Sequence, residues 1–196
     1  MNTNTDQSSL KLFQLLLGSK APQRNVEQHD FFFAIGTKLG DLVPEIKSFW
    51  PEAGDSIHID GWREVTNVDG YGVRIRYRKE SAAMVKERLF FLNLGGYTGG
   101  LLEEQHYTVL TVQQDKGTAV SYAKQMPFFK HNTLKGARSH IDEKYGVDVD
   151  DIYQVEDILP ASQKKVYRIV LEKRNEPGAQ DEIHLGYLKL HKIPTT

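Results

Sequence analysis

Apolar residues occur along this chain in short runs that are separated by polar and glycine-containing stretches. Two continuous runs, residues 12–17 and 31–35, end at Gly18 and Gly36. Runs of this length without alternation are typical of strands that are buried on both faces. The pattern therefore predicts two central strands near the start of the chain.

A helix and a further pair of strands are predicted after these two runs. Asp41 is a suitable N-cap, and Pro51 would end the helix. Apolar residues follow Asp41 at the spacing of one helical face, at Leu42, Ile46 and Phe49. Residues 62–66 and 73–78 flank a turn signal, and the second of these segments alternates strictly, which predicts a hairpin with one exposed face.

The chain then repeats its own pattern at an offset of 77 positions. Residues 12–35 and 89–112 share 8 identities in 24 positions without a gap, where ordinary composition would give roughly one or two. We interpret this similarity as an internal duplication. The predicted organisation is a disordered leader over residues 1–11, a first repeat over 12–80 and a second repeat over 89–190.

The second repeat is expected to follow the first and then to diverge from it. Thr118 is the predicted N-cap of its helix, and the later strands are predicted at 152–158, 166–171 and 183–190. Residues 139–142 are similar to residues 57–60 at an offset of 82. The last strand has no counterpart in the first repeat.

These elements predict an α+β fold that is built from two fused copies of a strand-strand-helix-strand-strand unit, with mostly antiparallel sheet. Each copy would leave an apolar face open. The simplest way to bury both faces is to pack the copies against each other about a pseudo-twofold axis.

Composition and charge exclude several classes of function. The net charge is −1, from 25 basic and 26 acidic residues, so a general binder of nucleic acid is disfavoured. The absence of cysteine excludes disulfides, thiolate metal sites and a cysteine nucleophile. No apolar run approaches the length of about twenty residues that spans a bilayer, and the first residues lack the features of a signal peptide. We therefore expect a soluble cytoplasmic protein with no membrane partner.

The repeated Glu-x-His pairs are the candidate site. Glu27 with His29, and Glu104 with His106, are two residues apart at the start of a strand, so the members of each pair point to the same side. If the copies pack about a twofold axis, the four side chains could form a ligand shell for Zn, Mn or Fe. The alternative is that each Glu accepts a hydrogen bond from its own His and serves only the fold.

Other candidate groups have weaker signals. His58 with Asp60, and His140 with Asp142, could act as a base and its orienting carboxylate, although a hydrogen-bonded surface pair is the simpler interpretation. Glycine pairs at 95–96 and 99–100 favour a tight turn over a phosphate loop. The acidic residues near 148–151 and 156–157 are interpreted as solvated turns because they lack the spacing of an EF-hand.

A stripe of arginines is predicted on the alternating strand of the first repeat, at Arg74, Arg76 and Arg78. These side chains could bind an acidic partner or a nucleic-acid backbone. The alternative is a solvated sheet face, or an edge strand that is protected against aggregation. In the strand that we expect to match it, residues 165–173, Arg168 is the only arginine among the middle residues.

The glycine-ended strands and the Glu-x-His pairs together indicate a relationship. The residues concerned are 93–97 with 104–106, 15–18 with 27–30, and 58–60 before Trp62. In these segments the chain resembles the bacterial family called domain of unknown function 1543 (DUF1543). The resemblance implies no reaction or ligand. In the first repeat Ser19-Lys20 replaces Gly96-Tyr97, so a role that needs the Gly-Gly-Tyr turn would belong to the second repeat alone.

Two hypotheses for function follow from the sequence. The first is a protein that binds a small ligand or a divalent metal between the two Glu-x-His loops. The second is a non-enzymatic interaction module in which the Glu-x-His pairs are structural. The sequence leaves open the ligand, any reaction, the partners and the oligomeric state, a homo-oligomer included.

Overall fold

A computed structural model of the chain describes residues 9–80, 86–97, 102–126, 147–176 and 178–194. The chain divides into two compact units. The first unit comprises Met1–Ala83 and Ile158–Thr196, and the second comprises Met84–Asp157. The first unit is therefore discontinuous in sequence, whereas the second is one continuous segment.

Strands dominate the described residues, and the helices are short. In chain order the strands are β1 (Lys11–Ser19), β2 (Gln28–Gly36), β3 (His58–Glu64), β4 (Asn67–Val68), β5 (Tyr71–Tyr77), β6 (Arg88–Tyr97), β7 (Glu104–Gln113), β8 (Val147–Gln154), β9 (Tyr167–Lys173) and β10 (His184–Lys189). The α-helices are α1 (Val43–Phe49), α2 (Lys116–Ala123) and α3 (Ala161–Val166), with several 3-10 turns between elements. Every strand pairing found among the described residues is antiparallel. The chain is thus a mixed α and β protein with mostly antiparallel sheets.

The larger sheet of the first unit has the strand order β10-β3-β1-β2. Successive side chains of β1 point to opposite faces, and both faces are buried, as the continuous apolar run predicts. One face packs against α1 and the turns beside it. Its core contains Phe13, Leu15, Leu17, Phe32, Ala34, Leu42, Ile46, Ile57 and Ile59. This core fixes the positions of the three strands that carry the candidate site.

A smaller sheet of the first unit has the order β4-β5-β9. Val73 and Ile75 of β5 are buried while Arg74 and Arg76 are exposed, which confirms the strand predicted from the alternation. Strand β4 pairs only with Tyr71 and Gly72 of β5, so in the described part of the chain β9 is the ladder partner of Arg74 and Arg76. Both interpretations of the arginine stripe therefore stay predictions.

The second unit has a three-stranded sheet in the order β7-β6-β8, with α2 on one face. Its core contains Phe90, Leu92, Leu94, Val109, Ala119 and Ala123. The N-cap of α2 is Asp115, which accepts a hydrogen bond from the Thr118 backbone N–H at 2.8 Å. Thr118 is therefore the third helical residue and not the N-cap that the sequence predicts.

The helix of the first unit also begins differently from the prediction. Asp41 lies in a 3-10 turn, Leu39–Leu42, that precedes α1. Its carboxylate accepts hydrogen bonds from the backbone and hydroxyl of Thr37 and from the backbone of Lys38. Asp41 thus caps the turn, because the chain tightens before the α-helix starts.

The last strands belong to the first unit and not to the second. Strand β9 pairs with β5, and β10 pairs with β3. The second unit therefore ends near Asp157, which differs from the repeat expected over residues 89–190. The interpretation of Asp148, Asp150 and Asp151 as residues of solvated turns is also wrong, because all three lie in β8. The strand predicted over 152–158 ends at Gln154 and is followed by a 3-10 turn.

Several predicted features lie outside the described residues. These are residues 1–8 of the leader, the glycine pair at 99–100 and the segment 139–142. In the described part of the chain, no helix combines the length and the apolar character needed to cross a membrane.

Candidate functional site

Three neighbouring strands of the first unit place two histidines beside one glycine. Gly18 of β1 lies directly opposite His29 of β2 and directly opposite His58 of β3. Residues that are directly opposite in antiparallel strands project to the same face. A Cβ at position 18 would lie only 2.5 Å from His58 Nε2. Glycine therefore leaves the space into which the two imidazoles converge.

A β-bulge brings Asp60 into the same space. On β1, Leu16 faces Gly61 and Leu17 faces Ile59, so Asp60 has no partner in the ladder. Bulges of this kind re-aim a side chain and are frequent beside functional sites. Asp60 Oδ1 lies 3.3 Å from His58 Nε2, and Asp60 Oδ2 lies 3.2 Å from His29 Nε2.

Glu27, one residue before β2, completes the group. Its Oε1 lies 3.1 Å from His58 Nε2, and its Oε2 lies 3.9 Å from His29 Nε2. We call Glu27, His29, His58 and Asp60 the His58 cluster. It consists of two imidazoles and two carboxylates from three adjacent segments of one unit.

The histidine at the centre of this cluster is buried and held in one orientation. His58 is 1% exposed, and its Nδ1 lies 2.9 Å from the carbonyl oxygen of Ser56. Because a carbonyl only accepts, Nδ1 carries a hydrogen, and Nε2 is the ring nitrogen that faces the two carboxylates. The Ser56 hydroxyl in turn donates to the Ala53 carbonyl at 2.6 Å and lies 2.6 Å from the buried Ser19 hydroxyl. This chain of contacts fixes the ring from behind.

An aromatic ring covers the other side of His58. Tyr187 of β10 has its ring centroid 4.1 Å from that of the imidazole, with an interplanar angle of 37°. It lies in a register shift of β10, next to Gly186, whose φ is +146°. The imidazole is thus enclosed by Ser56 on one side and Tyr187 on another.

The polar atoms that face the centre of the cluster lack hydrogen-bond partners. His58 Nε2 and Asp60 Oδ2 are both buried and make no hydrogen bond. Two carboxylate oxygens approach His58 Nε2 closely, yet neither has hydrogen-bond geometry with it. Buried polar atoms that face carboxylates without hydrogen bonds are unfavourable unless a positive charge lies between them. The arrangement is therefore one that a bound cation would stabilise.

Three of the four nitrogen–oxygen distances in the cluster are close to the separation of ligand atoms around a small metal ion. Zinc bonds of about 2.0 to 2.1 Å in a tetrahedral site separate neighbouring ligand atoms by about 3.3 Å. The four nitrogen–oxygen distances of the His58 cluster run from 3.1 to 3.9 Å.

In the described part of the chain, no group of three or more His, Asp or Glu side chains is arranged so as to hold a metal ion. The side chains of His29 and Glu27 are 46% and 41% exposed, so packing leaves them room to rotate.

The structure corrects one sequence interpretation and extends another. His58 and Asp60 do not form a surface pair, because His58 is buried. They join Glu27 and His29, the pair that the sequence identifies. The signal that could have joined them is the spacing of two residues in both Glu27-x-His29 and His58-x-Asp60, on segments that flank the same glycine.

The second unit has a similar row of backbone positions. Gly95 of β6 lies opposite His106 of β7 and opposite Asp148 of β8. The register shifts between Asn93 and Leu94, which leaves Asp150 without a partner on β6. The position opposite the glycine on the third strand is therefore held by Asp148.

The Glu-x-His pair of the second unit has its own contacts. Glu104 Oε2 lies 3.8 Å from His106 Nε2, and His106 Nδ1 lies 3.3 Å from Asn93 Oδ1. Asn93 Nδ2 in turn lies 3.5 Å from Asp151 Oδ2. These contacts lie within the second unit.

Comparison with known proteins identifies a family segment and a fold. Residues 24–75 match the family model of Domain of Unknown Function (DUF1543). This DUF1543 segment contains all four residues of the His58 cluster. The chain is similar in fold to the crystal structure of protein Il1583 from Idiomarina loihiensis, with a TM-score of 0.62 and 22% identity, over 92% of this chain and 97% of that one. No curated protein matches the chain.

Proposed function

We propose that this protein binds a divalent metal ion at the His58 cluster. The observation that carries the proposal is His58 Nε2, a buried ring nitrogen that faces two carboxylates and has no hydrogen-bond partner. The Ser56 carbonyl supports the proposal, because a metal-binding imidazole usually donates a hydrogen bond from the ring nitrogen that does not bind the metal, as Nδ1 does here. A metal at this point would neutralise both carboxylates and bind Nε2.

The ligand types favour a first-row transition metal. Two imidazoles and two carboxylates suit Zn, Mn or Fe, whereas Ca and Mg prefer oxygen ligands throughout. Four protein ligands would close a tetrahedral shell. Glu27 and His29 form the exposed rim, so they are the ligands that a small molecule could displace.

We also propose that an internal duplication produced the two similar three-stranded rows. It is supported by the common strand order of the two three-stranded rows and by register shifts at Leu16/Leu17 and Asn93/Leu94, which are 77 positions apart. The prediction that Glu27, His29, Glu104 and His106 hold one shared ion stays a prediction. The His58 cluster needs no residue of the second unit.

A second candidate is a non-enzymatic interaction module in which these pairs serve the fold. It is favoured by the distances within the pairs, 3.9 Å for Glu27–His29 and 3.8 Å for Glu104–His106, which also suit an ion pair. In that case His29→Ala and His106→Ala would each lower the melting temperature by the same amount with or without a chelator. Metal binding instead makes the effect of His29→Ala depend on the chelator.

Elemental analysis of protein purified without a His-tag tests the proposal. We expect about one equivalent of a transition metal per chain in the wild type and a large loss in His58→Ala, because catalytic and structural metal sites lose affinity steeply when a ligand is removed. His191→Ala is the matched control, since His191 is exposed and lies outside the cluster. Wild-type protein that contains and takes up no transition metal would refute the metal site.

A stability measurement supplies the second readout. A ligand that binds only the folded state raises the melting temperature by mass action. We therefore expect Zn or Mn to raise the melting temperature of the wild type and of His191→Ala but not that of His58→Ala. Equal shifts in all three proteins would place the metal elsewhere.

A further inference from the structure

Strand β10 lies at one end of the larger sheet of the first unit. Its inner edge pairs with β3, and in the described part of the chain no strand pairs with its outer edge. An open edge presents backbone N–H and carbonyl groups to solvent, and natural proteins usually protect such an edge with charged side chains or a covering element. The outer edge of β10 is therefore a surface to which another strand can be added.

Large apolar side chains are exposed along this strand. Ile183, which precedes β10, is 55% exposed, and Leu185 and Tyr187 are 82% and 63% exposed. These three side chains occur at alternate positions within one short stretch of chain. Single exposed apolar residues are common on protein surfaces, whereas a contiguous group of them marks a site of interaction.

Gly186, between Leu185 and Tyr187, leaves the middle of the strand accessible. Its φ is +146°, and a Cβ built at this position would meet no atom of the described residues within 4 Å. A glycine within a strand often marks a place where another backbone approaches closely. The middle of β10 therefore has room for a second chain.

The charges at the two ends of this strand have opposite signs. Asp181 and Glu182 precede β10, whereas Lys189 ends it and Lys192 follows it. The side chain of Glu182 is 81% exposed, and its Oε1 lies 3.7 Å from Nδ1 of His184, so this contact within the chain is weak. Along an extended strand, about 23 Å separates Glu182 from Lys189. The strand therefore has a distinct acidic end and a distinct basic end.

We propose that two copies of this chain associate by antiparallel pairing of residues 181–192, which we call the β10 segment. Antiparallel pairing brings the acidic end of each copy to the basic end of the other, whereas parallel pairing would bring like charges together. With the twofold axis close to Gly186, Leu185 of each copy lies beside Tyr187 of the other. Such cross-strand pairs of an aromatic and an aliphatic side chain stabilise a sheet.

The charge pattern is the reason for choosing a second copy as the partner. A strand that complements the β10 segment must have acidic residues at one end, basic residues at the other and apolar residues between them. The β10 segment itself has this pattern when its direction is reversed. Twofold dimers are the commonest oligomers, and their interfaces are self-complementary in this way. The association joins two four-stranded sheets into one continuous sheet and does not depend on the proposed metal.

Sedimentation velocity over a range of protein concentrations tests the association. It is performed on the full chain at low ionic strength and with a chelator present, so that no metal contributes. Pairing of one strand per copy makes a small interface, so we expect a reversible dimer with a Kd of about 1 to 100 µM. Leu185→Ser should weaken it by about tenfold or more, because the twofold axis counts the lost apolar burial twice. Leu102→Ser is the matched control, since Leu102 is also fully exposed but belongs to the second unit, and it should dimerise as the wild type does.

Charge reversal tests the direction of the pairing. Glu182→Lys alone and Lys189→Glu alone should each weaken self-association by about tenfold, because each places like charges together at both ends of the interface. An equal mixture of these two variants should form a heterodimer about as tight as the wild-type dimer, since each copy supplies the charge that the other lacks. Lys173→Glu reverses an exposed charge on β9 and should leave the Kd unchanged.

Three results would overturn the proposal. The first is a wild-type chain that stays monomeric up to about 500 µM, well above the expected Kd, which would leave this edge to a partner of another kind. The second is a dimer that Leu185→Ser and both charge reversals leave as tight as the wild type, which would place the interface elsewhere. The third is a mixture of the two reversed variants that associates no better than either variant alone. Melting curves show whether each variant is folded, and the wild-type measurement decides the question for any variant that is not.

Discussion

Gly18→Ala should disrupt the His58 cluster without removing any of its side chains. The added Cβ would lie 2.5 Å from His58 Nε2 and closer still to Asp60 Oδ2, whereas real Cβ contacts essentially never fall below 3.0 Å. His58 cannot retreat easily, because it is 1% exposed and is held between the Ser56 carbonyl and the Tyr187 ring. The imidazole of His58 and the carboxylate of Asp60 must therefore move away from the added methyl group.

The expected size of the effect follows from this overlap. Inserting one methyl group into a packed site usually lowers the free energy of unfolding by about 1 to 3 kcal/mol. For a chain of this length, each kcal/mol lowers the melting temperature by about 2 to 4 °C. Displacing the groups that orient metal ligands typically weakens metal binding by about 10- to 100-fold. Gly18→Ala should show both losses.

Thermal melts and a competition titration against a chromophoric chelator measure the two effects. Gly61→Ala is the matched control, because it also adds one methyl group to this sheet. Its Cβ would meet Leu185 Cδ2 at 3.1 Å, and Leu185 is 82% exposed and can move. If Gly18→Ala melts and binds metal as the wild type does, or if Gly61→Ala loses as much, the argument from close packing fails.

Two further predictions concern contacts away from the cluster. Gln163→Ala should lower the free energy of unfolding by about 1 to 3 kcal/mol, because the Gln163 amide both accepts from Ile35 N and donates to Ile35 O at 2.7 Å. Urea denaturation measures this loss. Gln163→Glu cannot donate this hydrogen bond and should also be less stable than the wild type. Asp115→Ala should lower the melting temperature while Asp115→Asn largely preserves it, since only the first removes the cap of α2. The hydrogen bond from the Thr118 backbone lowers the pKa of Asp115, so the difference between wild type and Asp115→Ala should be present above the unfolded value of about 3.9 and shrink as the pH falls below it. A difference that grows in acid would contradict this account.

Local patterns were sufficient to predict most strands of the first unit. The continuous apolar runs of β1 and β2 and the alternation of β5 carry their burial directly in the sequence. The pairing of β9 with β5 and of β10 with β3 could not be predicted in this way. Partners distant in sequence are selected by which sheet edges remain open, and that depends on the whole fold and not on any local pattern.

The candidate site shows the same division. Glu27 and His29 are visible as a repeated motif, whereas His58 and Asp60 are separated from them by α1 and two 3-10 turns. Their convergence depends on Gly18 lying between both strands and on the bulge that leaves Asp60 unpaired. A one-residue irregularity of this kind has no signature in composition or periodicity, so it becomes visible only once the strands are in register.

The discontinuous first unit has a consequence for how the chain is made. Strands β3 and β5 each have one neighbour that is encoded from Ile158 onward, after the whole second unit. These neighbours are therefore absent from the growing chain while the second unit is being synthesised. Tyr187, which covers His58, also follows the second unit in sequence. A product that terminates within the second unit would leave these strand edges unpaired, and open strand edges promote aggregation.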